Sequence, residues 1–585
     1  MSADASGLAL FQAVVEVDLS AAAERITALL AATRPAMLAL PASCLGVGAV
    51  EREHGTAHLA EIARGTETAL AGSFRTPAGE TTFIIDASGR TLALGSDAAA
   101  AVAETPLGRL AVLTAEQLAT PEAVRLAAFA GAEVAIAPVL TRRSRREREA
   151  VRAAAMARAA ENALAVALVD AGGMRAPGLP RDGTSGATAW IAPGGRLVDE
   201  TGGPGEALLA AEFDLEGLRQ LRRSTANPLL QLRPPLYAPS YHRLAEPPPP
   251  TPTSAPPPFA ICCLQSNIAV IEDPTEKDAI IRQNLARTAD LVQEAVAGGA
   301  KVVVFPEFWL QGFAWGRSIE EWREVCITVP GPETAVLGRI AEEFGVYLAG
   351  AAFEVDPAWP GRWFTTAFLI RPSGEVAVRT RKLHSSNVLG QLPDSSPADF
   401  LSAYGTDGLF PVAETPLGRM AVTVSSDLSW PEIARGFRIA GAEIILHAGG
   451  SPHTPLGATA NHIRQARARE NGVIIASANY GRLLGSSHPE DMSRGYSQIV
   501  DWTGEELGRV EGQGEAYIRA TIDLGPLRRA RAAQPLALAP YARIWDGRAI
   551  CPVDRWLDRP LADPAEATAV LPDVVVRLRE SGILA

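Results

Sequence analysis

The chain alternates short, continuously apolar runs with longer stretches whose apolar residues recur at helical spacing. Leu8-Ala-Leu-Phe-Gln12-Ala-Val-Val is such a run; a helical stretch follows, and then a second run, Ala36-Met-Leu-Ala-Leu-Pro41. The same order returns at Ile261-Cys-Cys-Leu-Gln265, a helical stretch at 280–297, and Lys301-Val-Val-Val-Phe-Pro306. A strand apolar at every position is one whose two faces are both covered. Such strands alternating with helices predict an α/β fold. Further along, Pro372-Ser-Gly374 and Thr503-Gly504 interrupt strand-like runs and predict tight connections between paired strands.

The pattern is also repeated in the letters themselves. Ala103-Glu-Thr-Pro-Leu-Gly-Arg109 recurs without change as Ala413-Glu-Thr-Pro-Leu-Gly-Arg419. Downstream, Pro121-Glu122 pairs with Pro431-Glu432, Ala-Gly131-Ala-Glu133 with Ala-Gly441-Ala-Glu443, and Glu161-Asn162 with Glu470-Asn471. Internal self-similarity of this length indicates two copies of one domain. Between them, residues 246–258 read Glu-Pro-Pro-Pro-Pro-Thr-Pro-Thr-Ser-Ala-Pro-Pro-Pro. Proline at that density excludes helix and sheet interiors and favours an extended spacer, roughly 40 Å at about 3.1 Å per residue. The expected organisation is a first domain over 1–245, a Pro-rich linker over 246–258, and a second domain from 259 to 585. From about Pro552 the second copy continues without counterpart; Val574-Val-Val-Arg-Leu578 reads as a docking helix or an ordinary surface helix.

Composition narrows the function classes. With 585 residues, 47% hydrophobic and 21% charged, the chain is globular in character, and its net charge of -12 argues against nucleic acid as a partner. The basic run Arg142-Arg-Ser-Arg145-Arg146-Glu-Arg148 opens an Ala-rich helical stretch with interleaved glutamates and reads as a solvated helix face. Five cysteines (Cys44, Cys262, Cys263, Cys326, Cys551) show neither a disulfide framework nor metal-ligand spacing. No apolar run of about 18 residues and no basic signal head is present, so no membrane partner and a cytoplasmic location are expected. No metal, nucleotide or flavin motif is found, and no cofactor is expected.

Three places join polar groups to strand ends. They are Val303-Val-Phe-Pro306-Glu307; Arg379-Thr-Arg381-Lys382-Leu-His384; and Gly418-Arg-Met-Ala-Val-Thr-Val-Ser425-Ser-Asp427-Leu-Ser-Trp430-Pro431-Glu432. Arg467-Ala-Arg-Glu470-Asn471 with Val473–Asn479, and Gly495-Tyr-Ser497, follow in order. This series resembles the signatures of the nitrilase, or carbon–nitrogen hydrolase, superfamily across nearly all of 259–550, and more weakly across 8–245. The resemblance implies two tandem α-β-β-α sandwich domains. It implies a glutamate base, a lysine and a cysteine nucleophile, roles that fall on Glu307, Lys382 and Ser425. The cysteine of the family is a serine here. An alkanol is a far weaker acid than a thiol, so Ser425 is read either as a working nucleophile or as a small residue filling that position. A second glutamate common in the family has one candidate between 383 and 424, Glu414, inside the repeated turn. Asp427 reads as a turn-fixing residue. His384 and His447 read as pocket lining or as satisfied structural histidines. Loops at 308–317, 385–405 and 447–460 are expected around the cleft.

In the first copy Ala42 stands opposite Glu307, Asp97 opposite Lys382, and Ala115 opposite Ser425. The offset between copies rises from 285 at Gly89 and Gly374 to 310 at Ala103 and Ala413, so about 25 residues of loop are also missing. A site of the family type is therefore expected in the second copy only. The expected function is amidase-type hydrolysis or acyl transfer on a small amide-like substrate; the alternative is a catalytically silent relative that binds a small ligand or a partner. Family members pair through helices, so the copies are expected to form a pair within one chain or to pair with a second chain.

Overall fold

The computed structural model describes residues 7–16, 18–46, 48–141, 144–174, 184–224, 227–314, 316–359, 363–384, 397–451 and 459–548. The extension from Pro552 with its candidate helix at Val574, the start of the basic run at Arg142, Cys551, and residues 385–396 and 452–458 of the expected cleft loops lie outside these. The chain divides into two compact units, Met1–Leu229 and Leu230–Ala585.

Each unit is a pair of six-stranded sheets. In the second, one sheet runs Val376–Arg381, Phe364–Ile370, Tyr347–Glu354, Ala300–Val304, Phe259–Gln265, Ala516–Ile522. The other runs Ala413–Thr415, Gly418–Val424, Ile444–Ala448, Ile474–Ala478, Gln498–Val500, Glu506–Arg509. Central strands are parallel and outer ones antiparallel. Alternation along a strand explains why the runs are apolar throughout. Ile261 and Cys263 point between the sheets with Val302, Val304, Val422 and Leu446. Cys262 and Leu264 point the other way, into a cluster with Ile281 and Leu285 of helix Lys277–Ala297 and Leu337 and Ile340 of helix Pro332–Phe344. Helix Ala460–Asn471 lies against the second sheet. The unit is thus layered α-β-β-α, and burying each such Val, Leu or Ile contributes about 1.5–3 kcal/mol.

The first unit has the same strand order. One sheet runs Ala207–Ala211, Leu8–Gln12, Met37–Ala39, Ala69–Thr76, Gly79–Ile85, Thr91–Ser96, and the other Leu197–Glu200, Ala189–Ile191, Ala165–Asp170, Val134–Val139, Gly108–Val112, Ala101–Thr105. Its own helices pack outside: Leu19–Thr33 and Arg52–Thr66 on one face, Pro121–Phe129 and Arg145–Asn162 on the other. Polar anchors recur as well. Gln12 donates to the carbonyls of Gly203 and Gly205, and Gln265 to those of Gly512 and Gly514.

The verbatim heptapeptide is a hairpin turn with a specific task. Thr105 Oγ1 donates to Gly108 O at 2.8 Å, and Thr415 Oγ1 to Gly418 O at 2.6 Å. The glycines adopt φ of 94° and 115°, where a side chain is disfavoured. A Cβ on Gly108 would meet Glu133 Oε2 at 2.6 Å, and one on Gly418 would meet Leu524 Cδ1 at 2.5 Å. The turn thereby presents the N–H of Arg109 to Glu133 at 2.9 Å and that of Arg419 to Glu443 at 3.1 Å. Each glutamate is closed by an arginine of the last helix, Arg219 or Arg528.

Residues 230–245 were expected in the first domain, whereas the compact units divide at Leu229/Leu230. The physical reason is the helix Pro234–His242, whose buried Tyr237 and Tyr241 pack on Trp545. Residues 246–258 hold no helix or strand, and the carbonyls of Pro250 and Ser254 accept from Arg419 and Arg528.

Glu443 pairs with Arg528 at 2.6 and 2.7 Å in a site shielded from solvent. Glu443→Ala should cost about 3 kcal/mol in urea unfolding, because it strands the guanidinium without its partner; a change below about 0.5 kcal/mol would show that the pair does not hold the turn.

Candidate active site

Glu307, Lys382 and Ser425 come from three strand ends. Glu307 lies three residues beyond Ala300–Val304, and its N–H donates to Gly449 O at 3.0 Å, just past Ile444–Ala448 of the facing sheet. Lys382 follows Val376–Arg381, its N–H donating to Thr365 O at 2.8 Å. Ser425 follows Gly418–Val424 and opens a short 3-10 turn, Ser425–Ser429, before Pro431 starts the next helix. Glu307 and Lys382 are buried, at 3% exposure each, while Ser425 is partly exposed.

The three side chains converge. Lys382 Nζ donates to Ser425 Oγ at 2.8 Å and lies 3.5 Å from Glu307 Oε1. Burial pushes the Glu307 carboxyl above the usual carboxylate range, against the pull of the Lys382 ammonium and the Ser425 hydroxyl. Gly450 makes room for it, since a Cβ there would fall on Glu307 Oε2 and crowd Phe308 at 3.1 Å. Burial, with the Glu307 charge adding, also raises the neighbouring Tyr480 phenol.

Ser425 has φ of 55°, in the left-handed region that non-glycine residues rarely occupy. At the corresponding place in the first unit, Ala115 begins an ordinary helix, Ala115–Ala119, with a Thr114/Gln117 capping box. Ala42 and Asp97 stand where the second unit has Glu307 and Lys382, and Asp97 accepts from Glu80 N at 3.2 Å.

Supporting groups fix the serine turn and the lysine. Asp427 accepts from the N–H of Leu383 at 2.8 Å, the N–H of His384 at 2.7 Å and His384 Nδ1 at 3.0 Å. It ties the residues after Lys382 to the turn that begins at Ser425, in keeping with a turn-fixing residue. His384 lies flat on the Trp430 indole, at 4.3 Å and 9°, and its Nε2 meets the Tyr237 hydroxyl. His447 Nε2 lies 2.8 Å from the Ser425 carbonyl and its Nδ1 lies 2.7 Å from Ser477 Oγ. A carbonyl can only accept, so Nε2 carries the proton and the neutral ring accepts from Ser477. Burial, helped by the Arg464 charge, depresses the His447 pKa to about 3. Glu414 is remote from this cluster: exposed, it pairs with Arg419 at 2.6 Å. Cys44, Cys262, Cys263 and Cys326 are buried elsewhere. Among the described residues no group of His, Cys, Asp and Glu is arranged to hold a metal, and no helix is long and apolar enough to cross a membrane.

The His447–Ser477 clamp, the clearance at Gly450 and the Tyr237 contact are not legible in sequence. His447 carried a signal only as a polar residue ending an apolar strand, and Tyr237 carried none.

Residues 263–532 match the family model described as carbon-nitrogen hydrolase. Over this stretch the chain is similar to the carbon–nitrogen hydrolase, or nitrilase, superfamily. Omega-amidase NIT2 of Xenopus tropicalis is 27% identical over 254 residues, covering 43% of this chain and 88% of the relative. Omega-amidase NIT2 of Danio rerio is 28% identical over 276 residues, covering 46% and 92%. The solved structure of Saccharomyces cerevisiae Nit3, of the nitrilase superfamily, is 23% identical with a TM-score of 0.39, covering 48% of this chain and 95% of its own. The carbon–nitrogen hydrolase match contains all of Glu307, Lys382 and Ser425.

Two outcomes follow from this geometry. Gly450→Ala should displace the Glu307 carboxylate and break its contact with Lys382, with the unfolding midpoint little changed; a structure of the variant that keeps the 3.5 Å contact would show that the carboxylate needs no such clearance. His447 binds a proton at about pH 6.5 when unfolded but only near 3 when folded. Its contribution to stability is therefore present above 6.5 and is lost as the pH falls toward 3, by up to about 1.4 kcal/mol per pH unit. Urea titrations of His447→Gln should show a flatter fall across that window than wild type, and parallel curves would contradict a neutral buried imidazole.

Proposed function

We propose that the second unit hydrolyses, or transfers the acyl group of, a small amide-like substrate, with Ser425 as nucleophile, Glu307 as general base and Lys382 as the stabilising cation. One observation carries this reading. Ser425 is held in a strained left-handed conformation with its hydroxyl on Lys382, whereas the matching residue of the first unit sits relaxed in a helix. Backbone strain persists where surrounding structure enforces it, and such places cluster at functional sites.

In the proposed reaction Ser425 Oγ attacks the amide carbon while Glu307 takes its proton. The carbonyl π pair moves to oxygen, and the oxyanion is stabilised by the Lys382 ammonium. Collapse breaks the carbon–nitrogen bond as protonated Glu307 gives its proton to the leaving nitrogen, releasing the amine and an acyl ester. Water, deprotonated by Glu307, or an acceptor nucleophile then frees the serine. The raised Glu307 pKa suits a group that must both take and give the proton. The names of the curated relatives, omega-amidases, support amide hydrolysis at family level.

A second reading, a silent ligand-binding site, is favoured by one specific observation. Neither nearby imidazole serves the hydroxyl: His447 Nε2 holds the Ser425 carbonyl and His384 Nε2 meets Tyr237. Glu307 alone must then activate an alkanol. We further propose that the first unit is a duplicate of the second that has lost this chemistry, on the shared strand order and matched polar anchors.

A panel of small amides and esters with intact-mass detection separates the readings. Under the first, wild type forms an acyl ester, and Ser425→Ala and Glu307→Gln each reduce turnover by about 10³-fold or more. The acid limb of kcat/KM should lie above the ordinary glutamate value, because the base must be deprotonated and its pKa is raised. Under the second, wild type is silent and Ser425→Cys gains turnover or a thioester adduct. Turnover surviving both Ser425→Ala and Glu307→Gln overturns the site.

A further inference from the structure

Tyr237 stands 26 residues before the start of the family-matched stretch at 263, upstream of the Pro-rich segment, yet it is built into the support of the site. Its hydroxyl accepts from Arg233 N at 3.0 Å and meets His384 Nε2; because the Asp427 carboxylate can only accept, Nδ1 carries the proton and a neutral ring takes the Tyr237 proton at Nε2. The His384 ring passes the connection on through Nδ1 to Asp427 Oδ1, and Asp427 also holds the N–H groups of residues 383 and 384. Those two residues directly follow Lys382, and Asp427 lies two residues after Ser425. The chain of hydrogen bonds therefore runs from Tyr237 to the backbone on both sides of the Lys382–Ser425 contact.

Tyr237 is itself anchored from outside the matched stretch. Trp545, beyond residue 532, meets its ring edge-on at 5.1 Å and meets Tyr241 at 5.9 Å, while His242 pairs with Asp546 at 2.6 Å. Tyr237, Tyr241 and Trp545 are all buried. Two flanking segments thus close on each other and on His384.

We propose that Tyr237 is a positioning residue of the site, acting through His384 and Asp427 to hold Lys382 on Ser425, so that the functional domain begins near residue 230. This rests on the Glu307–Lys382–Ser425 reading, and its consequence is that the flanks are part of the catalytic unit. Neutral imidazole needs one donor and one acceptor partner. Removing the hydroxyl takes from Nε2 the hydrogen bond that Tyr237 makes and weakens the ring's hold on the carboxylate that fixes the backbone after Lys382.

The test reads the position of Lys382 without needing turnover. In full-length S425C, a nearby ammonium should depress the thiol pKa and speed alkylation by iodoacetamide, followed by mass spectrometry on the peptide containing position 425. S425C/Y237F keeps the ring packing; its alkylation near neutral pH should slow about fivefold and the midpoint of its pH–rate curve should rise, part of the way to S425C/K382M. In an active wild-type background Y237F should lower kcat with KM within about twofold. An S425C/Y237F profile that overlies S425C overturns the proposal, as does a Y237F loss confined to thermal stability. Overlying profiles of S425C and S425C/K382M instead overturn the Glu–Lys–Ser reading and leave Tyr237 unimplicated. Should Y237F not fold, S425C/H384Q, which keeps a donor toward Asp427 without the imidazole Nε2, must give the same slowing, and its absence overturns the proposal.

Discussion

The two sheets of the second unit are bound together at the site by hydrogen bonds that cross between them, and the rest of the arrangement depends on those crossings. Asp427, from the turn after one sheet's strand, accepts the N–H groups of Leu383 and His384 after the other's. Glu307 N–H reaches Gly449 O in the same sense. Apolar packing between sheets is non-directional and leaves their relative slide loosely set. Hydrogen bonds at strand ends remove that freedom where a lysine and a serine from opposite sheets must meet at 2.8 Å.

Burial sets the chemistry available there. A carboxylate shielded from water is destabilised as a charge, and Glu307 responds by holding its proton more tightly, in spite of Lys382. The same desolvation acts on His447 in the opposite direction, because its charged form is the protonated one, and keeps it neutral. A neutral ring can donate from Nε2 only if Nδ1 accepts, and Ser477 supplies that donor. One physical cause thus produces a proton-hungry carboxylate and an uncharged clamp within the same small volume.

Comparison of the units separates what the fold needs from what the site needs. The Thr-Pro-Leu-Gly turn, its glutamate acceptor and the arginine closing it are alike in both. So is the left-handed residue after the first site strand, Ser43 in one and Phe308 in the other. The strained residue after the later strand is different: Ser425 has it, and Ala115, with Ala42 and Asp97 at the places of Glu307 and Lys382, does not. Strain at Phe308 and Ser43 therefore belongs to the sandwich, and strain at Ser425 accompanies the cluster of polar side chains.

The sequence by itself determined the α/β layering, because strands apolar at every position must be covered on both faces. It carried the same turn in both halves, and in each unit that turn meets a glutamate acceptor. It also placed Glu307, Lys382 and Ser425 at strand ends, since order and spacing along one chain survive without coordinates. Tertiary structure alone decided what depends on groups distant in sequence. Tyr237 meets His384 across 147 positions, and His447 reaches back 22 residues to the carbonyl of Ser425. Neither contact leaves a local pattern, for a hydrogen bond between remote residues constrains their separation in space and nothing about their neighbours in the chain. The boundary near residue 230 is of the same kind: proline density marks where the chain is stiff, while burial of Tyr237 and Tyr241 against Trp545 decides to which body it belongs.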